Sequence, residues 1–257
     1  MIELASAVAK EAGKLIREGR ANLKVSHKGP VDLVTQLDLA SEDLIRERFT
    51  RAEPSIPILA EENGGAINAK TRWIIDPLDG TTNFVHDFPF YCVSIALEQE
   101  EVLTHGVIYD IPNDRLYTAV RGQGAHCDGR PLKVSTCNNL DKALIASGFA
   151  ADRRQRADFY LAFVKHFLEN AQGFRRCGSA AMDLAMLADG RLDAYWEFGL
   201  NPWDVAAGAL IVTEAGGQVG EITGGPLNLN EPQILATNKH LFQPLLQHLG
   251  PLLAETC

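Results

Sequence analysis

The chain has 257 residues, 46% of them hydrophobic and 22% charged, with a net charge of −9. That composition fits a globular protein long enough for a substantial core. The acidic balance argues against nucleic acid as a principal partner, because phosphate backbones require clustered Lys and Arg.

The first residues, Met1 to Gly19, repeat apolar side chains at helical spacing (Leu4, Val8, Leu15, Ile16) and lack the uninterrupted apolar run of a secretory signal. No stretch has the length of a membrane span. The five cysteines (Cys92, Cys127, Cys137, Cys177, Cys257) are scattered and form no CxxC pair. Neither a disulfide framework nor a structural zinc is therefore expected, and the expected setting is cytoplasmic, with no membrane partner.

Next, "VDLVTQLDLASEDLIRERF" predicts a short extended segment running into an amphipathic helix, with Leu39, Leu44, Ile45 and Phe49 on its inner face. "IPILAEENGG" reads as a short strand ending in an acidic pair. "WII" is a strand, and "TTNF" can begin a helix. The run from Tyr91 to Val120 reads as three strands, broken at Gln99–Glu101 and at Pro112-Asn113-Asp114. "GQGAHCDGRPL" reads as loop, with Asp128-Gly129 suited to a tight turn.

After a soft join near residue 140, "ALIASGF" predicts a strand and "RADFYLAFVKHFLENA" a helix. "FRRCGSAAMDLAMLADG" reads as a strand and a helix ended by glycine, and "LDAYWEF" as a strand. "NPWDVAAGALIVTEAGG" is a helix with Pro202 in its first turn. This mixture of strands and helices implies layered α and β elements in one domain over residues 1–257.

Four carboxylates stand apart from those on helical faces, such as Glu42, Asp43 and Glu47, which read as solvated. Glu61 follows "IPIL", Asp76 and Asp79 follow "WII", and Asp204 starts "VAAGALIV". Each lies at an end of an apolar element, where a side chain can point into a cleft. Four carboxylates held together without a cation repel one another. Oxygen-only ligands suit a hard ion such as Mg²⁺, and two or three such ions would leave a net positive site for a phosphate.

Pro77 forces a bend, so both carboxylates and the Leu78 carbonyl can face one point. Gly80 allows close approach of the backbone, and the first amides of a helix at "TTNF" can hold phosphate oxygens. Each segment taken alone has a plainer reading: "DPLDGTTN" as a turn and helix cap, "NPWD" as a helix start, "AEENGG" as a surface loop. Their joint occurrence favours a site.

The segments "VDLVTQLD", "ILAEEN", "WIIDPLDGTTNFVHDFPFYCVSIAL", "GQGAHCDGRPLKVS", "RRCGSAAMDLAMLADGRLDAYWE" and "PWDVAAGALIVTEAGG" occur in that order over nearly the whole chain. Together they resemble the inositol monophosphatase family, within the lithium-sensitive, Mg²⁺-dependent sugar phosphatases. Departures are small: Ala60, Asp87 and Asp128 replace commoner residues, and Lys28 cannot be aligned.

The resemblance implies an α+β fold, the layered α-β-α-β-α sandwich of the inositol monophosphatase and fructose-1,6-bisphosphatase type. It assigns metal binding to Glu61, Asp76, the Leu78 carbonyl, Asp79 and Asp204. Asp38 matches an aspartate that hydrogen-bonds the motif threonine, here Thr81, and the pair, with Glu61, would orient and deprotonate the attacking water. Gly80, Thr81 and Thr82 match the phosphate-holding turn. Gly178, Ser179 and Ala180 line the substrate pocket, and Glu197 contacts substrate hydroxyls.

The implied reaction is Mg²⁺-dependent hydrolysis of inositol monophosphate or related polyol and sugar monophosphates, inhibited by Li⁺, in a homodimer. Rivals with the same metal site act on 3′-phosphoadenosine 5′-phosphate, fructose 1,6-bisphosphate or histidinol phosphate, and "TTNF" favours the inositol type. Thr81 as a covalent nucleophile is the poorer alternative. A regulatory or scaffolding protein on this fold should lose a ligand carboxylate or show a basic docking patch, and neither is seen. Arg175-Arg176 could touch a substrate or a partner subunit but reads first as a solvated pair, and the seven histidines read as packing or surface residues.

Overall fold

A computed structural model of the chain describes every residue except 28, 30–32, 232 and 257. Lys28, Cys257 and the start of the "VDLVTQLD" segment thus lie outside the described residues.

The elements run α1 (Ile2–Gly19), β1 (Val25–His27), β2 (Leu33–Thr35), α2 (Gln36–Ala52), β3 (Ile58–Ala60), β4 (Gly64–Gly65), β5 (Arg72–Asp79) and α3 (Thr81–Val85). There follow β6 (Cys92–Gln99), β7 (Val102–Asp110), β8 (Arg115–Val120), β9 (Ala125–Cys127) and β10 (Arg130–Pro131). The remainder is β11 (Leu144–Ser147), α4 (Ala157–Asn170), β12 (Gly173–Arg175), α5 (Ala180–Ala188), β13 (Ala194–Glu197), α6 (Pro202–Glu214), β14 (Gly217–Glu221), β15 (Ile234–Asn238) and α7 (Phe242–Thr256).

Two large sheets result. One has eight strands in the order β10-β9-β8-β7-β6-β5-β3-β4, and the other has five in the order β12-β11-β13-β15-β14. Strand alternation sends neighbouring side chains into different layers. In β5, Trp73 and Ile75 pack with α1 and α2, while Ile74 packs with α5 and α6. In β13, Tyr195 joins the α5/α6 core, while Ala194 and Trp196 join that of α4 and α7. The layers are therefore α1/α2, sheet, α5/α6, sheet, α4/α7: an α-β-α-β-α sandwich.

Aromatic and small residues fix these contacts. Trp73 stacks on Phe49 with ring centroids 4.2 Å apart, worth ~1 kcal/mol beyond the area buried. A Cβ at Gly208 would lie 2.5 Å from Leu184, so glycine sets the close approach of α6 to α5.

Three local expectations change. Leu39, placed on the inner face of α2 by its spacing, is 44% exposed. The helix turns its buried side through Leu37, Ser41, Ile45 and Phe49 instead. The segment read as loop contains the β9–β10 hairpin, whose Asp128 and Gly129 both have positive φ (49° and 79°) as a two-residue turn requires. Glu42, read as solvated, is fully buried.

Among the described residues no helix is long and apolar enough to cross a membrane.

Candidate active site

The site begins with an irregularity in β5. Asp76 pairs with Ser94 and Asp79 with Cys92, so Pro77 and Leu78 face the single residue Val93. Side chains three apart in a regular strand point to opposite faces, and the bulge re-aims them. Both Asp76 and Asp79 then line one cleft, together with Glu61, Leu78 and Asp204. Proline fits there because it has no ladder hydrogen bond to give. Ser41 Oγ donates to the Pro77 carbonyl at 3.0 Å and ties the bulge to α2.

Glu61 leaves the end of β3, its amide donating to the Ile75 carbonyl at 3.2 Å. Glu42 anchors the following loop: its carboxylate accepts from the amides of Glu62 (2.7 Å) and Asn63 (3.1 Å) and from Arg46 Nε (2.6 Å). Its helical position looked like surface. Only the fold shows that the 61–63 loop closes over it.

Asp204 arrives from the other half of the chain, in the first turn of α6, where its Oδ2 accepts from the Asn201 amide at 2.6 Å. Pro202 at the first helical position makes that start compact. Asp79 Oδ2 accepts from Ser179 Oγ at 2.6 Å and from the Ala181 amide at 2.7 Å. Ser179 is also the N-cap of α5, accepting from the Met182 amide. One capping residue thus positions both a helix and a cleft carboxylate.

Thr81 stands where α3 begins. Its hydroxyl lies 2.9 Å from Asp38 Oδ1 and 3.1 Å from the Leu78 carbonyl. Asp38 itself is 1% exposed. Its Oδ2 accepts from the amide and hydroxyl of Thr35 at 2.9 and 2.5 Å, closing the capping box of α2. Gly80, at φ +90°, precedes this turn, and a Cβ there would sit 3.0 Å from the Phe90 carbonyl. Gly80, Thr81 and Thr82 all face the cleft, whose volume is about 330 Å³.

Burial and mutual repulsion dominate the electrostatics. Burial pushes the Asp76 carboxyl far above the usual range, and the charges of Glu61, Asp79 and Asp204 push it further. Asp204 is raised by burial and then by Asp79. Asp79 is raised by burial to about 6, opposed by its bonds from Ser179 and Ala181. Burial also raises Asp38.

Such a set of mutually repelling oxygen donors, with Asp76 buried and Glu61, Asp79 and Asp204 half-buried, is what a divalent cation relieves. Among the described residues no three His, Cys, Asp or Glu side chains close into a ready-made metal cage. An open arrangement suits Mg²⁺, which keeps several waters and binds through few carboxylates plus substrate phosphate. The donors fit that ion in chemistry, and the cleft of about 330 Å³ leaves room for its water and substrate ligands.

A second chamber of about 130 Å³ opens beside the cleft, bounded by Gly148, Arg176, Gly178, Ser179, Ala180 and Glu197 among others. Burial raises the Glu197 carboxyl to about 7, although the Tyr195 hydroxyl donates to it. All the site residues expected from the sequence therefore sit at or directly behind one opening. Phe149, Arg153 and Arg176 also line the cleft. Arg175 and Arg176 are both exposed, as read, and Arg176 also borders the cleft, 5.8 Å from the Phe149 ring. A basic pair on a strand end gives no sign of which member reaches the cleft.

The family model for the inositol monophosphatase family matches residues 1–253. The chain belongs to that family. Inositol monophosphatase 3 of Solanum lycopersicum is 43% identical, with 97% of this chain and 96% of the relative covered. The protein named Nus factor SuhB in Pseudomonas aeruginosa is 41% identical over 98% and 96%. Among solved structures, the inositol monophosphatase from Anabaena superposes with a TM-score of 0.89 at 41% identity, covering 97% of this chain and 95% of that one. A more distant IMPase/NADP phosphatase, complexed with Mg²⁺ and phosphate, has a TM-score of 0.82 at 25% identity, with 93% and 90% covered. This inositol monophosphatase family member thus shares its sandwich with phosphatases along almost its whole length.

Proposed function

We propose that the protein hydrolyses a polyol or sugar phosphate monoester, with inositol monophosphate as its reference substrate, by attack of water. The observation that carries this reading is the shared cleft of Glu61, Asp76, Asp79 and Asp204 beside the Gly80–Thr82 turn. The carboxylates and the Leu78 carbonyl would hold Mg²⁺. When bound, the ion supplies Lewis-acid polarisation and charge neutralisation. The distant neighbour complexed with Mg²⁺ and phosphate supports this choice.

The chain's own groups do the rest. The Thr81 hydroxyl, held by Asp38 beside the Leu78 carbonyl, orients the attacking water. The water's proton passes to Glu61, or through Thr81 to Asp38, as the P–O bond to the alcohol breaks and the leaving alkoxide takes a proton from solvent. The first amides of α3 lack intrahelical partners and receive phosphate oxygens. Arg153 and Arg176 add positive charge at the rim of the cleft. Glu197, with Gly178 to Ala180 beside it, holds hydroxyls of the leaving alcohol. Little covalent work falls to the protein, so positioning dominates.

The test is a panel of phosphate esters assayed with Mg²⁺, with and without Li⁺, on wild type, Asp76→Asn and Asp204→Asn. We expect Mg²⁺-dependent, Li⁺-inhibited release of phosphate, preference for inositol monophosphate over 3′-phosphoadenosine 5′-phosphate, fructose 1,6-bisphosphate and histidinol phosphate, and loss of activity in both variants with cooperative melting kept. Full activity in either variant contradicts the metal assignment. The same reading extends to a homodimer working in the cytoplasm, which light scattering and cell fractionation check.

A second reading follows from the relative named Nus factor SuhB: a regulatory role on the same fold. The intact carboxylate set favours the enzyme. A regulatory function that survives in Asp76→Asn would separate the two roles.

A further inference from the structure

The 130 Å³ chamber holds a carboxyl with no role so far: Asp183 is part of its wall, with Glu197. It lies in the first turn of α5 and is 1% exposed. Its Oδ1 has no hydrogen-bond partner among the described residues, and the Cys177 thiol is a weak donor to the carboxyl. Its helix neighbours Ala181, Met182 and Leu184 are buried and apolar.

Native structures rarely keep a buried acceptor unmatched unless water or a ligand supplies the donor. The chamber's 130 Å³ far exceeds the ~15 Å³ that admits one water. Gly148 keeps it open, since a Cβ there would come within 2.2 Å of the Glu197 carboxylate carbon.

We propose that Asp183 is a specificity-determining residue: with Glu197 it receives hydroxyl groups of the substrate's alcohol moiety in this chamber. The inference rests on the phosphatase reading above and narrows it. The alcohol carries at least two hydroxyls besides the esterified oxygen, close enough together to enter one small chamber. An alkyl or aryl group there leaves Asp183 Oδ1 without a donor and Glu197 with only that of Tyr195, a mismatch that a site built for hydroxyls penalises heavily.

Steady-state kinetics with inositol 1-phosphate and with phenyl phosphate, in Mg²⁺, test this on wild type, Asp183→Leu and Asp183→Asn. The ratio of kcat/KM for inositol 1-phosphate over phenyl phosphate should fall about tenfold in Asp183→Leu, mainly through KM. The fall should be smaller in Asp183→Asn, whose amide oxygen still accepts. An unchanged ratio, whether both activities drop in parallel or neither drops, overturns the proposal. If Asp183→Leu shows no cooperative melt, the ratio in Asp183→Asn decides alone. A wild type that hydrolyses neither ester overturns the phosphatase reading itself, a different result from a failure confined to the variants.

Discussion

Thr81 Oγ1 meets Asp38 Oδ1 at 2.9 Å, although the two residues are 43 positions apart. The contact joins the start of α2 to the start of α3, two residues past β5, and Asp38 is already engaged by Thr35. Because that capping box fixes Asp38, the carboxylate can fix the threonine hydroxyl in turn. Thr81→Ala should therefore lower kcat by about 10²–10⁴, the range for losing a proton-transfer group. Thr81→Ser should keep most activity, and single-turnover assays check both.

Glu42 offers a way to disturb the metal-holding region without touching the cleft. Glu42→Ala removes the acceptor for the Glu62 and Asn63 amides. Groups that orient ligands from behind commonly affect metal affinity by about 10–100-fold. We expect the Mg²⁺ concentration for half-maximal activity to rise by a factor in that range. An unchanged Mg²⁺ response would show that the loop holds Glu61 without this anchor.

Gly148→Ala tests the alcohol side. The added Cβ would lie 2.0 Å from a Glu197 oxygen, so the carboxylate must move. Polyol phosphates should then lose about tenfold in kcat/KM, the size expected when a hydrogen bond to a charged group is lost. Glu197→Gln should likewise weaken use of polyols while Mg²⁺ affinity is kept, measured by titrating the metal at saturating substrate.

The carboxylate cluster also predicts a pH dependence in the metal-free protein. Burial raises Asp79 from 3.8 to about 6, so the native state holds this proton more tightly than the unfolded chain. Its stabilising contribution is complete below pH 3.8 and is lost as the pH rises through about 6. Asp76 and Asp204 shift in the same direction. In chelator, the melting temperature of wild type should therefore fall relative to Asp79→Asn as the pH is raised from about 4 to about 7. Mg²⁺ at pH 7 should reverse the difference. Scanning calorimetry at matched ionic strength reads both, and parallel pH curves would contradict the prediction.

Much of this was legible in the chain, for identifiable reasons. Asp76, Asp79 and Asp204 stand at ends of apolar runs, where a carboxylate has no packing role, so their pattern shows. The bend at Pro77 was legible too, but not that it is a bulge pairing two residues with one. Glu42 and Asp183 were not legible, and Arg176 only as the lesser reading of its pair, because each sits at a position that local spacing assigns to surface or to an ordinary helix turn. The burial of Glu42 and Asp183 depends on what a distant segment places over them, and Arg176, which stays exposed, meets the cleft only because Phe149 and Gly178 fold beside it. The strands β14 and β15 escaped notice because one is Gly-rich and the other, Ile234–Asn238, is buried throughout and shows no alternation.

Asp79 ends a strand of the eight-stranded sheet, yet the groups that hold it come from α5, which follows the first strands of the other sheet. The catalytic pocket is in effect a rivet through two plates. Slippage between the plates would break the Ser179 and Ala181 contacts to Asp79 while leaving each plate's own ladder in place. Turnover is then a finer gauge of how well the molecule is assembled than any measure of its helix or strand content.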